Sequence, residues 1–141
     1  MDGSIDFSRK LRAYRTVEGT DAKPEELMKM ALDTVHSLLL RAEAALAAED
    51  RVEKAKALAS ASTVVEFMLG LSGYDPGPLS DRLATSYQYI MTAILKGNID
   101  NDAKAIASGR AVVEHISATW RSVFFSRGQD RDAAETAAAR P

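Results

Sequence analysis

The chain has 141 residues, a length typical of a single domain. Its 18 Lys and Arg against 20 Asp and Glu give a net charge of −2, which excludes the basic excess of a general nucleic-acid binder. The absence of cysteine excludes a disulfide scaffold, a thiolate metal site and a cysteine nucleophile. No stretch approaches the ~18 uninterrupted apolar residues of a membrane span, and the opening MDGSIDFSRK lacks a signal-peptide pattern. We therefore expect a cytoplasmic protein without membrane insertion.

The first 23 residues are polar, mixed in charge and without a sustained period, which predicts a mobile N-terminal arm over 1–23. A short extra helix within this arm is the alternative interpretation. The arm contains one cluster of charge, in which four cations surround Tyr14.

Pro24 followed by two glutamates predicts a helix start, because proline suits the first helical position and carboxylates complement the positive end of the helix dipole. Apolar residues continue on two adjoining stripes and predict a first helix over 24–49.

The segment DRVE at 50–53 is typical of an N-cap aspartate with a glutamate three residues later, and it predicts a second helix over 51–71. Apolar residues cover more than half the circumference of this helix, which is more than one core face needs. Val64, Phe67 and Leu71 lie beside the main stripe. Two interpretations stay open: these three complete the core, or they line an exposed apolar groove that marks a binding surface.

The sequence SGYDPGP at 72–78 is a cluster of helix breakers. A third helix is predicted over 78–96, and Gly97 with Asn98 is typical of a helix end. Tyr89 lies away from the apolar stripe of this helix. It indicates either a side chain at the bundle edge with a solvated hydroxyl or a contact to a partner.

A fourth helix is predicted over 102–125. The remaining 127–141 have no apolar side chain larger than alanine, which predicts a disordered C-terminal tail. Four helices of about 20 residues with short links predict an all-α, antiparallel, up-down-up-down four-helix bundle over 24–126. We expect it to be a monomer or a weak homodimer.

No grouping of residues indicates catalysis. GxGxxG and GxxxxGK[ST] are absent, and so is the Glu-x-x-His pair of a di-iron bundle, so we expect no catalytic residue, no metal site and no cofactor. An exposed histidine on a four-helix bundle is the pattern of a histidine phosphotransfer domain, which places Lys and Gly three and four residues after it. Neither His36 nor His115 is followed by that pair.

Six short segments carry further information through their order along the chain. They are Ala13-Tyr14, then Thr20 to Pro24 with Leu27-Met28, Val64-Val65 with Met68 and Leu71, Leu83 with Tyr87, Tyr89 and Ile90, Gly97-Asn98 with Asp102, and Ile116 with Thr119-Trp120. No single segment is specific, but six in order with suitable spacing are. In this order the chain resembles the flagellin-specific export chaperone family, FliS.

The resemblance implies a cytoplasmic chaperone of type III flagellar export that performs no catalysis. Such proteins bind the disordered C-terminal segment of new flagellin, which folds into helices around the bundle and is kept from polymerising prematurely. The family's arm can cover part of the groove, so Tyr14 would be its anchor here. The partner-binding residues that we predict are Tyr14, Val64, Phe67, Leu71, Tyr87 and Tyr89.

Other partners and functions stay open at this stage. An export-gate component or a co-chaperone is a further candidate partner, whereas no nucleic acid is expected. One alternative function is phosphotransfer through His36 or His115. The other is a generic helical adaptor for a different coiled-coil partner.

Overall fold

The computed structural model describes Arg9, residues 24–71 and residues 78–138, with side chains described for Arg9, 26–70 and 82–122. Within these ranges every regular element is a helix, which confirms the predicted all-α class. The helices are α1 (Pro24–Ala47), α2 (Arg51–Leu71), α3 (Pro78–Asp100) and α4 (Ala103–Ala138). The predicted arm, including Tyr14, lies outside the described residues apart from Arg9, which is helical.

The four helices form the predicted bundle. Each helix packs against two others, in the pairs α1–α2, α2–α3, α3–α4 and α1–α4, so α1 and α3 lie diagonally across the core. Contacts between side chains give the antiparallel register: His36 meets Glu114 while Glu43, further along α1, meets Arg110, which is earlier in α4. In the described part of the chain no helix is both long and apolar enough to cross a membrane.

Two tight corners lie at one end of the bundle, where α1 passes into α2 and α3 into α4. Each corner contains a residue in the left-handed region, Glu49 with φ 60° and Asn101 with φ 52°. Each following helix is capped by an aspartate: the Glu53 N–H donates to Asp50 Oδ1 at 3.0 Å, and the Ala105 N–H donates to Asp102 Oδ1 at 3.1 Å. The predicted cap at the start of α2 is therefore confirmed, and it satisfies a backbone donor that the helix itself cannot pair.

The end of α3 differs from its prediction. We expected Gly97 and Asn98 to terminate the helix, but α3 continues to Asp100. Gly97 has a packing role instead, because a Cβ at this position would lie 2.4 Å from Cγ1 of Ile106, a fully buried side chain of α4. The missing side chain thus lets α4 approach closely, and the chain turns four residues later, at Asn101.

The end of α4 differs as well. The predicted end lay near residue 125, with a disordered tail over 127–141, whereas the structure continues α4 to Ala138. The segment beyond Gly128 is rich in alanine, the best helix former, and a glycine within a helix costs only ~1 kcal/mol relative to alanine. Low apolar content excludes a packed core but does not by itself exclude a helix.

The core is built from large aliphatic side chains of all four helices. Tyr87 lies at its centre with no exposed surface, and its hydroxyl donates to Sδ of Met28 at 3.3 Å across the diagonal between α3 and α1. Burial raises the pKa of Tyr87 well above its ordinary value, because the ionised form would be poorly solvated. The other largest fully buried side chains are Leu32, Leu39, Leu58, Met68, Ile90 and Ile106.

Candidate binding surface

A polar network joins α1 to α4 on the outside of the bundle. Arg110 donates to both carboxylate oxygens of Glu43, at 2.5 and 3.3 Å, and to Glu114 Oε1 at 2.8 Å. Its pKa is raised by these carboxylates. Hydrogen bonds from His36 and Arg110 lower the pKa of Glu114 below its usual value. The network is a charged clasp between two neighbouring helices.

His36 belongs to this clasp. Its Nε2 donates to Glu114 Oε1 at 3.0 Å, with 35% of the side chain exposed. A phosphoryl group transferred to Nε2 would have to displace this carboxylate and would remain beside its negative charge. His115 is exposed on α4. The geometry around His36 therefore disfavours phosphotransfer through this histidine and favours a structural role for it.

Two of the six predicted partner-binding residues lie in the core. Val64 and Tyr87 have no exposed surface, so neither presents atoms to a partner in this arrangement. The physical reason is helical geometry: at about 100° per residue, Tyr87 and Tyr89 differ by about 200° and cannot share a face. For Val64, the core interpretation of the sequence is the one that the structure supports.

The remaining predicted residues differ in position. Phe67 is partly buried and packs against the core from α2. The side chain of Leu71 and the whole of Tyr14 lie outside the described parts. Tyr89 is 51% exposed on α3. The six residues therefore do not form one continuous surface.

An exposed apolar surface does lie on α3, on the side turned away from the core. Besides Tyr89 it includes Leu95, 57% exposed, and Ile99, 68% exposed. Leu95 and Ile99 are four residues apart and therefore adjoin on the helix. We call this surface the outer α3 face; its members are Arg82, Thr85, Gln88, Tyr89, Thr92, Leu95, Lys96, Ile99 and Asp100.

Sequence reasoning missed Leu95 and Ile99. The available signal was their position relative to the buried stripe: Leu95 is about 100° from Ile94, on the side away from Ile90. A long aliphatic side chain next to a core stripe is usually counted with the core, which hid Leu95, and Ile99 lies beyond the predicted end of the helix at residue 96. Other exposed large apolar residues occur on other helices, namely Leu40 on α1 and Val52 on α2.

Charges of both signs lie on α3. Its cations are Arg82 and Lys96, and its carboxylates are Asp81 and Asp100, of which Asp100 is exposed. The ion pairs found among the described residues all belong to the clasp between α1 and α4, so neither Arg82 nor Lys96 is paired there. Nor do three or more described His, Asp or Glu residues cluster as metal ligands would.

These features define a class: a four-helix bundle with exposed apolar side chains on the outer face of one helix. Comparison with known proteins gives the family. The family model described as flagellar protein FliS matches residues 7–126. The chain is 31% identical to the flagellar secretion chaperone FliS of Salmonella typhimurium over 104 residues, covering 72% of this chain and 77% of the relative. It is 25% identical to the Escherichia coli K12 protein of the same name over 107 residues, covering 74% and 79%.

The chain therefore belongs to the FliS family of flagellar secretion chaperones. This confirms the resemblance seen in the order of the six sequence segments. A chaperone family implies a flagellar protein as partner and binding as the activity.

Proposed function

We propose that this protein binds the C-terminal segment of flagellin in the cytoplasm, prevents its premature polymerisation and keeps it competent for export. The observation that supports this most directly is the outer α3 face, a run of exposed apolar side chains on a member of a secretion-chaperone family. Leu95 and Ile99 adjoin one another on this face, whereas the other exposed large aliphatic residues, Leu40 and Val52, lie on two different helices. Such exposure is typical of a binding surface.

The bound segment would dock as an amphipathic helix on this surface. A helix offers apolar side chains at i, i+3, i+4 and i+7, which matches a partner helix lying along another helix. Burying the exposed parts of Tyr89, Leu95 and Ile99 supplies the hydrophobic driving force. The same burial covers the apolar stripe of the segment, and this is what prevents it from associating with other flagellin molecules.

Folding upon binding would set the affinity. A segment that is disordered when free loses conformational entropy as it becomes helical, at a cost of about 2–5 kcal/mol or more. The complex is then weaker than its buried area alone would give. That property suits a chaperone, because the cargo has to be released for export.

The residues predicted from sequence take different parts in this proposal. Tyr89 contacts the segment directly, and Phe67 and Leu71 extend the contact along α2. Tyr14 anchors the arm where it competes with cargo. Val64 and Tyr87 belong to the core and make no direct contact with the segment, since both are fully buried.

Calorimetry tests the proposed function. The protein is titrated with a peptide of about forty residues from the C-terminus of flagellin of the same cell, at several temperatures. We expect one-to-one binding with a large negative heat-capacity change, the mark of apolar burial coupled to folding. Absence of binding by the intact protein would overturn the proposal.

The arm is tested separately with a variant that lacks residues 1–16. If the arm covers part of the cargo surface, the shortened protein binds the same peptide with altered affinity. Equal affinities of the two proteins would contradict a role for Tyr14 while leaving the main proposal intact.

A further inference from the structure

The last turn of α3 is helical although its own sequence disfavours a helix. The turn consists of residues 97–100, which are glycine, asparagine, isoleucine and aspartate. Gly97 and Asn98 are weak helix formers, and the carboxylate of Asp100 is unfavourable at the negative end of the helix dipole. The same turn carries Ile99, which is 68% exposed and extends the outer α3 face beyond Leu95. Local propensity therefore does not account for this turn.

A cation reaches this end of α3 from the neighbouring helix α2. The Nζ of Lys54 donates to the carbonyl oxygen of Asn98 at 3.0 Å and also to Oδ1 of Asn101, the left-handed residue at the corner. A positive charge at the C-terminus of a helix pairs its free carbonyls and complements its dipole. Both acceptors of this buried ammonium thus belong to the end of α3 and the corner that follows it.

The corner after α1 offers an internal comparison. Its left-handed residue is Glu49, whose N–H donates to the carbonyl of Leu46, three residues earlier, at 3.1 Å. Counted in the same way from Asn101, the equivalent carbonyl of α3 is that of Asn98, which accepts from the ammonium of Lys54. The end of α1 is therefore closed by its own backbone, whereas the end of α3 uses a side chain from another helix.

We propose that Lys54 is a positioning residue of the binding surface: it keeps the last turn of α3 helical and so holds Ile99 beside Leu95 on the outer α3 face. The inference rests on the proposed function, in which this face contacts the flagellin segment. Lys54 is almost fully buried, so it acts through Ile99 and does not touch the segment. Without the ammonium, α3 should end near Gly97, and Ile99 should leave the face.

Hydrogen exchange of the free protein tests the effect on the helix. In Lys54→Met, which keeps most of the stem without its charge, we expect the amides of residues 99–101 to exchange about tenfold or more faster than in the wild type. The internal reference is the amide of Asp50 at the other corner, which donates to the Ala45 carbonyl at 2.8 Å and should keep its exchange rate. Equal exchange of the α3 amides in both proteins would overturn the inference.

A second variant covers the case in which Lys54→Met does not fold. Asn101→Gly removes Oδ1, one of the two acceptors of the ammonium, while glycine favours the same left-handed backbone and should preserve the corner. We expect the same α3 amides to exchange about twofold or more faster in this variant. If they do not, the inference is wrong.

Double-mutant cycles test the effect on binding. Ile99→Gln should weaken binding of the flagellin peptide about threefold or more in the wild type. In the Lys54→Met background it should add little, because Ile99 has already left the face. Tyr89→Ala, about three turns away on α3, should cost the same affinity in both backgrounds.

A third background separates positioning from general loss of stability. Val64→Ala weakens the core on α2 and leaves the end of α3 intact, since Val64 is fully buried and lies far along α2 from Lys54. Ile99→Gln should therefore cost as much affinity in the Val64→Ala background as in the wild type. If its cost disappears there as well, the effect of Lys54→Met reflects destabilisation alone, and the positioning role is wrong.

The remaining outcomes keep the two proposals apart. No binding of the peptide by the wild type overturns the proposed function, whatever the exchange rates are. If the wild type binds and Ile99→Gln costs the same affinity with and without Lys54, the lysine does not position the surface, and only the inference is overturned.

Discussion

Individual side chains in this bundle differ in function according to how far they are buried. Lys54, at the α2–α3 contact, is a charged residue that is only 3% exposed. Its Nζ donates to the Asn98 carbonyl at 3.0 Å and to Oδ1 of Asn101. A buried ammonium needs such partners, because an unpaired charge in the interior is costly. The lysine thus fixes the corner between α3 and α4 from a neighbouring helix.

Replacing this lysine should loosen the corner. Lys54→Met keeps most of the stem volume but leaves the Asn98 carbonyl and the Asn101 side chain without this donor, so we expect a loss of about 1–3 kcal/mol in the free energy of unfolding. Urea denaturation followed by circular dichroism measures it. The control is Lys56→Met on the exposed side of α2, which should change stability little. Similar effects of both substitutions would mean that the buried contact contributes nothing.

Two glycines in neighbouring helices should respond oppositely to alanine. A Cβ at Gly97 meets Ile106, whose Cγ1 and Cδ1 lie 2.4 and 2.9 Å away, whereas a Cβ at Gly70 meets nothing within 4 Å. Gly97→Ala should therefore destabilise the protein by about 1–3 kcal/mol through overpacking. Gly70→Ala should stabilise it by up to about 1 kcal/mol, since alanine is the better helix former. Thermal unfolding of both variants checks the signs, and a stable Gly97→Ala would disprove the close approach.

At the scale of elements, the clasp between α1 and α4 gives a dependence on pH. The folded-state pKa of Glu114 lies below its ordinary value of 4.5, so its contribution to stability is present above that value and is lost as the pH falls through the folded pKa. Glu114→Gln should thus lower the urea midpoint at pH 7 but change it little at pH 3. Asp33→Asn, which removes from the middle of α1 an exposed carboxylate that makes no ion pair among the described residues, is the control. If the urea midpoints of the wild type and Glu114→Gln differ by the same amount at both pH values, the lowered pKa of Glu114 does not contribute to stability.

Helix α4 extends past its neighbours. It has 36 residues and α3 has 23, so their lengths are about 54 Å and about 35 Å. Because Gly97 of α3 adjoins Ile106 near the start of α4, the excess length lies at the C-terminal end. Deleting residues 129–141 should lower the helical signal in circular dichroism and leave the unfolding temperature of the bundle unchanged. A clear fall in that temperature would show that the segment packs on the bundle.

For the whole molecule, stability and binding should separate by position. Val64→Ala removes buried methyl groups and should cost about 2 kcal/mol of unfolding free energy. It should leave cargo affinity almost unchanged once the fraction folded is taken into account. Tyr89→Ala should do the reverse, because half of that side chain is exposed. Denaturation and calorimetry on the same preparations measure both, and a large binding defect in folded Val64→Ala would show that the core opens when cargo binds.

Sequence patterns predicted most of the fold. Apolar periods and the Asp50 cap placed the four helices, because these signals depend on neighbours within one helix. The end of α3 was predicted wrongly at Gly97. A glycine can end a helix or can let another helix pack closely against it, and here the contact with Ile106 of α4, which the sequence of α3 does not contain, decides between the two. The end of α4 was misjudged because a polar composition argues against burial and not against helix formation.

The binding surface was predicted less well, for a related reason. Apolar residues on α3 are numerous, and the sequence does not say which of them the other helices cover. Tyr89 was recognised because it lies far from the apolar stripe, whereas Leu95 lies closer to the stripe and Ile99 lies beyond the predicted end of the helix at residue 96. Only packing of all four helices shows that Tyr87 is covered and Leu95 is not.

Both tight corners, at Glu49 and Asn101, lie at one end of the bundle. At the opposite end α1 begins and α4 extends beyond the bundle. Force applied between the two chain ends would therefore act on antiparallel neighbours from the same side. Such a load peels α1 from α4 one contact at a time, with Glu114–His36 breaking before Arg110–Glu43, and does not shear the whole interface at once. The protein should accordingly yield to low mechanical force, even if its equilibrium stability is high.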